Sequence, residues 1–254
     1  MILAIDLGNT NTVLGGFERE TLVFTAEIST DLTATADEYA GKMFNALAVC
    51  RKVPEGVDGV ILSSVVPQLN RTLTRAVEKL FGVSPVTVGP GVKTGLNIRC
   101  DTPSSVGSDI ICACVAARDL YGAPAVILDL GTTTNLSVLN DTGAFIGVSI
   151  CPGVLMGLNA LGDQTAQLTK VSLDAPDATV AKNTADALRS GIIFGHASMI
   201  DGMLDRIFDE MGGPLPVVAT GAMAPVILPH CRHGILSDGE LVLKGLRMLY
   251  EKNR

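Results

Sequence analysis

Short runs of Val, Ile and Leu alternate along the chain with longer stretches in which apolar residues recur every three or four positions. Short apolar runs are typical of buried strands, and the longer spacing is typical of helices that pack one face on a sheet. The alternation therefore predicts an α/β fold. We expect strands at 2–6, 57–66, 85–88, 125–129 and 217–220, and helices at about 35–50, 68–81, 105–121, 184–211 and 238–250.

One short motif occurs twice. Residues 4–11 read AIDLGNTN and residues 127–134 read ILDLGTTT, so Asp6 and Asp129 are 123 positions apart in a chain of 254 residues. After each copy come a further strand-like stretch, a turn and a third apolar stretch, which predicts a β-meander at the start of each half. The repeat predicts two domains of the same fold, at 1–118 and 119–254.

The repeated motif also has a chemical meaning. An acidic residue that ends a buried strand, followed by Gly and small polar residues in a tight turn, lets backbone N–H groups approach a phosphate closely. The carboxylate is then placed to hold a metal ion, directly or through water. A single copy could be an ordinary hairpin turn, whereas two copies at half-length spacing favour a duplicated nucleotide-binding architecture.

Charge and composition narrow the possible partners and the compartment. The net charge is -7 and no basic stripe is visible, so we expect neither nucleic acid nor an anionic membrane as partner. The longest apolar runs, such as 123–130, are far too short to cross a bilayer, and no basic segment precedes the apolar N-terminus. We therefore expect a soluble protein without a signal peptide. Six scattered cysteines are typical of reduced thiols, which predicts the cytoplasm as the compartment.

The order of several motifs gives the chain a family resemblance. Within the acetate and sugar kinase, chaperone ATPase and actin superfamily, the chain resembles the type III pantothenate kinases. The resemblance rests on DLGNTN at 6–11, SSVVP at 63–67, GSD at 107–109, DLGT at 129–132, PG at 152–153, NT at 183–184, SGI at 190–192, TG at 220–221 and LKGL at 243–246.

The resemblance implies a fold, an activity and an assembly. It implies two ribonuclease-H-like domains, as in actin-like ATPases, with ATP in the cleft between them. The implied reaction is the phosphorylation of pantothenate by ATP, the first step of coenzyme A synthesis. The implied assembly is a homodimer whose interface helps to form the substrate pocket.

The resemblance also implies roles for particular residues. The first phosphate loop would comprise Asp6, Leu7, Gly8, Asn9, Thr10, Asn11, Thr12 and Val13, with Asp6 serving Mg²⁺ through phosphate or water. Thr132 would contact the nucleotide, and Asp129 would bind a monovalent cation, K⁺ or NH₄⁺. Pantothenate would be contacted by Gly107, Ser108, Asp109, Ile110 and Thr184. Asp109 would be the catalytic base that accepts the proton of the substrate hydroxyl.

The residues around Asp109 leave alternatives open. An acid in the first turn of a helix commonly serves as a cap or stabilises the helix dipole. Ile110 stands where the family usually has Arg, and Cys100 stands where it usually has Tyr. Both changes remove polar contacts to the substrate carboxylate. Arg99 or the partner subunit is a candidate to supply the missing contact. A kinase for another small hydroxylated acid and a non-catalytic ATP-binding regulatory relative are therefore alternative hypotheses.

Overall fold

The chain forms two compact units in the computed structural model, which describes residues 1–164 and 171–254. The first unit comprises Met1–Tyr121 together with Glu240–Arg254, and the second comprises Gly122–Gly239. Each unit contains one five-stranded sheet.

The sheet of the first unit combines a meander with two parallel strands. Its strands are β1 (Ile2–Leu7), β2 (Asn11–Glu18), β3 (Thr21–Ser29), β4 (Gly59–Ser64) and β5 (Val86–Thr87), in the order β3-β2-β1-β4-β5. The pairs β1–β2 and β2–β3 are antiparallel, whereas β4 pairs parallel to both β1 and β5. β1 is central and fully buried at Leu3, Ala4 and Ile5, as its apolar run predicts.

Three helices in the first unit begin and end where the local sequence favours it. They are α1 (Ala36–Val49), α2 (Pro67–Phe81) and α3 (Ser108–Tyr121). Thr35 and Glu38 form a reciprocal capping box at the start of α1. Pro67 opens α2, where its missing N–H costs nothing, and Gly82 ends it in the left-handed region at φ 69°.

The second unit repeats the topology of the first. Its strands are β6 (Ala125–Leu130), β7 (Thr133–Leu139), β8 (Phe145–Pro152), β9 (Val217–Thr220) and β10 (Leu236–Ser237), and its helices are α4 (Val154–Gln164), α5 (Thr184–Met211) and α6 (Ala224–Ile227). From β8 to β10 the order is β8-β7-β6-β9-β10, again with two antiparallel pairs and two parallel pairs. The predicted duplication is therefore confirmed in the strand order.

The last helix, α7 (Leu241–Asn253), packs in the first unit, although the predicted division at 118/119 places it in the second. Its residues Leu241, Leu243, Leu246 and Leu249 are buried. Gly245 lies so close to the Cys112 carbonyl of α3 that a Cβ would collide with it, and the Tyr250 ring covers Gly59 on β4. The apolar face of α7 is thus part of the core that surrounds β1.

Most predicted elements agree with the observed ones within a few residues. The predicted helix at 105–121 begins at Ser108 instead, because Pro103–Ser105 form a separate 3-10 turn. The sequence prediction contains neither α4 nor α6. Among the residues described, no helix combines the length and the apolar character that a membrane span requires.

Candidate active site

The first copy of the repeated motif forms the hairpin loop between β1 and β2. Leu7 pairs with Thr12, so residues 8–11 make up the loop, and the Gly8 N–H donates to the Asn11 carbonyl at 3.0 Å. A Cβ at Gly8 would lie 2.9 Å from that carbonyl, which explains the glycine. The next three residues, Asn9, Thr10 and Asn11, are exposed.

Thr30, just after β3, fixes the shape of this loop. Its hydroxyl donates to the Gly8 carbonyl at 2.8 Å and lies 2.9 Å from the hydroxyl of the buried Thr12. Its backbone N–H donates to the Thr10 carbonyl at 2.9 Å. Thr30 therefore fixes the loop through three hydrogen bonds, while residues 9–11 remain exposed. A fixed loop with exposed backbone is the arrangement that a preformed anion-binding loop requires.

The second copy of the motif forms a loop that is one residue shorter. Leu130 pairs with Thr134, which leaves the three residues 131–133, and the Gly131 N–H donates to the Thr133 carbonyl at 3.0 Å. The buried Thr134 takes the place of Thr12, but its hydroxyl bonds the His196 ring at 2.8 Å. The two loops are therefore related but not equivalent, and the first is one residue longer.

The Asp129 carboxylate lies close to two glycines, of which Gly221 leaves no room for a side chain. A Cβ at Gly221, whose φ is +94°, would lie 2.6 Å from Asp129 Oδ1, and one at Gly131 would lie 3.5 Å from it. Gly153 is equally constrained, because a Cβ there would collide with the Thr132 carbonyl. The glycines keep this carboxylate and the backbone of the second loop close together.

Asp109 lies in the first turn of α3 with one carboxylate oxygen unpaired. Its Oδ1 is buried and has no hydrogen-bond partner among the described residues. The carboxylate covers Gly107, where a Cβ would collide with Oδ1. Burial raises the pKa of Asp109 above its ordinary value, although the backbone amides of Ile110 and of Asp109 itself oppose the shift. A carboxylate with one buried oxygen that has no partner among the described residues, and with a raised pKa, is suited to accept a proton.

Asp6 and Asp109 lie near the same end of the first sheet, because Asp6 is opposite Ser63 in the β1–β4 pair and the Ser63 hydroxyl lies 2.9 Å from that of Ser108, the residue before Asp109. Burial raises the pKa of Cys112 well above its ordinary value, and the charges of Asp6 and Asp109 raise it further. Cys112 is fully buried in α3, one turn after Asp109. The structure thus brings the first loop and Asp109 together within one compact unit.

The other predicted site residues are placed as follows. Ser108 is buried, and its hydroxyl is engaged by Ser63 and Ser64, while Ile110 is also buried and offers no polar atom of its side chain. Thr184 is the exposed first residue of α5, in the second unit, after the capping residue Asn183. Arg99 is exposed in the loop before α3, and Cys100 is half-buried beside it.

Sequence reasoning assigned no role to Thr30, Ser63 or Gly221. Thr30 and Ser63 are brought to the site by strand pairing, and their hydroxyls are recognisable as important only once their partners are known. Gly221 carries a clearer signal, because a glycine after a buried strand often marks a backbone position with positive φ.

Solved structures with the same fold define the class. The activator of the 2-hydroxyisocaproyl-CoA dehydratase from Clostridium difficile, solved with bound ADPNP, superposes with a TM-score of 0.59, 12% identity and coverage of 98% of this chain and 93% of the other. An inorganic polyphosphate/ATP-glucomannokinase from Arthrobacter sp. strain KM gives 0.52, 13% identity and 99% coverage of both chains. The fold is the duplicated ribonuclease-H-like fold of the actin-like ATPases and sugar kinases.

Sequence comparison gives the family. The model of the type III pantothenate kinase family matches residues 2–206. A type III pantothenate kinase from Halalkalibacterium halodurans is 39% identical over 253 residues, covering 100% of both chains, and one from Moorella thermoacetica is 40% identical over 254 residues with the same coverage. The chain belongs to the type III pantothenate kinase family.

Proposed function

We propose that this chain phosphorylates the hydroxyl group of pantothenate with ATP and that Asp109 is the catalytic base. The observation that carries the proposal is the buried Asp109 Oδ1, which has no hydrogen-bond partner in the described part of the chain and lies in the same compact unit as the first phosphate loop. Membership of the family supplies the substrate, since the relatives at 39% and 40% identity are pantothenate kinases.

In the proposed reaction, Asp109 orients the substrate hydroxyl and takes its proton as the oxygen attacks the terminal phosphorus of ATP, whose bond to the bridging oxygen breaks so that ADP leaves. General-base catalysis of this kind contributes typically about 10²- to 10⁴-fold in rate. Because Oδ1 makes no hydrogen bond within the described chain, accepting the substrate proton breaks no existing contact. Burial raises the pKa of Asp109, so its carboxylate binds that proton more tightly than an exposed aspartate would.

The first loop fits the phosphates of ATP. The hydrogen bonds from Thr30 fix the loop. The backbone is accessible at the exposed residues Asn9, Thr10 and Asn11. We assign residues Asp6 to Val13 to the phosphates, with Asp6 serving Mg²⁺ through phosphate or water. When bound, Mg²⁺ would neutralise part of the negative charge that develops on the phosphates.

Asp129 fits a monovalent cation, K⁺ or NH₄⁺. Its carboxylate is confined by Gly131 and Gly221, whose missing side chains leave backbone carbonyls within reach of the same space. Oxygen atoms are the ligands that hard cations prefer. We assign Thr132, which is exposed in the second loop, to contact with the nucleotide.

The pantothenate site is assigned to residues 107–110 and to Thr184. Because the Ser108 hydroxyl is already engaged, its contribution to binding would come from the backbone. We further propose that the chain acts as a homodimer whose partner helps to complete this site. We also propose that it acts in the cytoplasm, as its scattered cysteines favour.

A substrate panel tests the proposed activity. Purified protein is incubated with ATP, Mg²⁺ and K⁺, and each reaction is assayed for ADP and for the phosphorylated product by mass spectrometry. We expect phosphopantothenate with pantothenate, and a lower rate when Na⁺ replaces K⁺. Since Ile110 supplies no cation to pair with the substrate carboxylate, the panel includes other small hydroxy acids. Phosphorylation of one of these acids but not of pantothenate would contradict the proposal. Tight binding of ATP without phosphorylation of any compound would contradict it too.

A further inference from the structure

Three serine residues connect the end of β4 to the beginning of α3. Ser63 is fully buried near the end of β4, Ser64 ends that strand, and Ser108 is the buried first residue of α3. The Ser108 hydroxyl lies 2.9 Å from the Ser63 hydroxyl, accepts the Ser64 backbone N–H at 2.9 Å and donates to the Ser64 carbonyl at 3.1 Å. The start of α3 is thus bonded to the strand through one side chain.

The hydrogen-bonding capacity of Ser108 is fully used by these contacts. A hydroxyl has one proton to donate and two lone pairs to accept with. Either hydroxyl can donate in the Ser63–Ser108 pair, and all three contacts are satisfied together when the Ser108 proton goes to the Ser64 carbonyl and its lone pairs accept from the Ser64 N–H and the Ser63 hydroxyl. Neither a substrate nor a nucleotide group can be added without breaking one of these bonds.

The serine contacts join the two acidic positions of the site. Ser63 pairs with Asp6 across the parallel strands β4 and β1, and Ser108 directly precedes Asp109 in the chain. The preceding residues 101–105 are exposed, so the loop that leads into α3 has little packing of its own. The hydroxyl contacts consequently link β4, whose Ser63 lies opposite Asp6 in the sheet, to the turn that carries Asp109.

We infer that Ser63 and Ser108 are positioning residues, which hold the Asp109 carboxylate at a fixed place relative to Asp6 during phosphoryl transfer. Neither hydroxyl touches the reacting atoms; both act through the start of α3. The inference rests on the proposed role of Asp109 as base. Its physical basis is the steep dependence of phosphoryl transfer on the placement of the reacting groups.

Alanine substitution of each serine, alone and together, tests the inference in steady-state kinetics with ATP and pantothenate. We expect Ser63→Ala and Ser108→Ala each to lower kcat about 10- to 100-fold, as misplacement by an ångström does. The KM for ATP should change less than about twofold, because the loop that holds the phosphates is fixed by Thr30 instead. The double variant should be no slower than Ser108→Ala, because that substitution alone already removes the contact with Ser63 together with both contacts to the Ser64 backbone.

Control variants separate positioning from stability. Ser137→Ala removes another buried serine hydroxyl, on β7, and should leave kcat unchanged even if it lowers the melting temperature. Ser108→Thr keeps a hydroxyl and should retain kcat within about threefold. If an alanine variant does not fold, Ser63→Cys replaces it, since a thiol is a weaker hydrogen-bond donor of similar shape and should still lower kcat.

Wild-type kcat in folded Ser63→Ala, Ser108→Ala or Ser63→Cys protein would overturn the inference, and so would multiplicative losses in the double variant. Asp109→Asn, measured in parallel, distinguishes the positioning role of the serines from the role of Asp109 as the base. Activity lost in Asp109→Asn but kept in the serine variants contradicts only the positioning role. Activity kept in Asp109→Asn contradicts the proposed base itself.

Discussion

At the scale of single residues, the site depends on groups whose surroundings lower the stability of the folded chain. Asp109 has a buried oxygen without a hydrogen-bond partner among residues 1–164 and 171–254, and Gly107 leaves the space that this oxygen occupies. A buried polar atom without a hydrogen bond lowers stability by about 1–3 kcal/mol in general. Such a cost is typical of functional groups, which are arranged for a ligand instead of for the folded chain.

The raised pKa of Asp109 predicts a distinctive pH dependence of stability. Because burial disfavours the charged form, this group lowers the free energy of unfolding above its folded pKa, and the penalty disappears as the pH falls towards the ordinary value of 3.8. Asp109→Asn should therefore be more stable than the wild type at neutral pH, and the difference should shrink on acidification. Denaturant unfolding across that pH range measures it.

Asp31→Asn is the matched control for this pH dependence. Hydrogen bonds from the Thr33 side chain and backbone lower the pKa of Asp31, so its charge stabilises the folded state. This substitution should lower stability at neutral pH, and the loss should shrink as the pH falls through the lowered pKa. A loss of stability at neutral pH in Asp109→Asn, like that expected for Asp31→Asn, would contradict the buried, charged state assigned to Asp109.

At the scale of elements, the repeated motif was predictable but the difference between its two loops was not. The sequence aligns Asp6 with Asp129 and continues the match to Asn11 and Thr134. Strand pairing shows instead that Thr134 corresponds to Thr12, because the second loop lacks one residue. Register depends on hydrogen bonds between strands, and a run of small polar residues does not determine it.

The serine link and the Thr30 contacts were not predictable for a similar reason. Ser63 and Ser108 are 45 positions apart, and Thr30 is 22 positions from Gly8. Each of these residues is small and polar, and in one sequence such residues are most simply explained as turns or caps. Only the folded sheet brings their hydroxyls within bonding distance.

The contact between α3 and α7 gives a prediction at this scale. Gly245→Ala places a methyl group against the Cys112 carbonyl and should lower stability by about 1–3 kcal/mol, since overpacking against backbone leaves little room for relief. Gly41→Ala is the matched control in α1, where a Cβ meets nothing within 4 Å. It should raise stability by about 0.5–1 kcal/mol. Thermal unfolding of both variants measures the contrast, and equal effects would contradict the proposed packing.

At the scale of the whole molecule, the duplication is visible in the sequence but the partition of the chain is not. The two halves share strand order and strand direction. The helix that follows the second sheet nevertheless belongs to the first unit, where its four leucines are buried beside α3 and β1. Apolar spacing shows that a helix buries one face, but it does not show which sheet receives that face.

The kcat of Asp109→Asn with ATP and pantothenate, measured beside its affinity for ATP, tests the proposed mechanism most directly. The substitution removes the proton acceptor while it keeps the shape of the side chain. We predict a fall in kcat of about 10²- to 10⁴-fold, with the affinity for ATP unchanged because the first loop remains intact. A folded Asp109→Asn protein that phosphorylates pantothenate at the wild-type rate would contradict the assignment of Asp109 as the base.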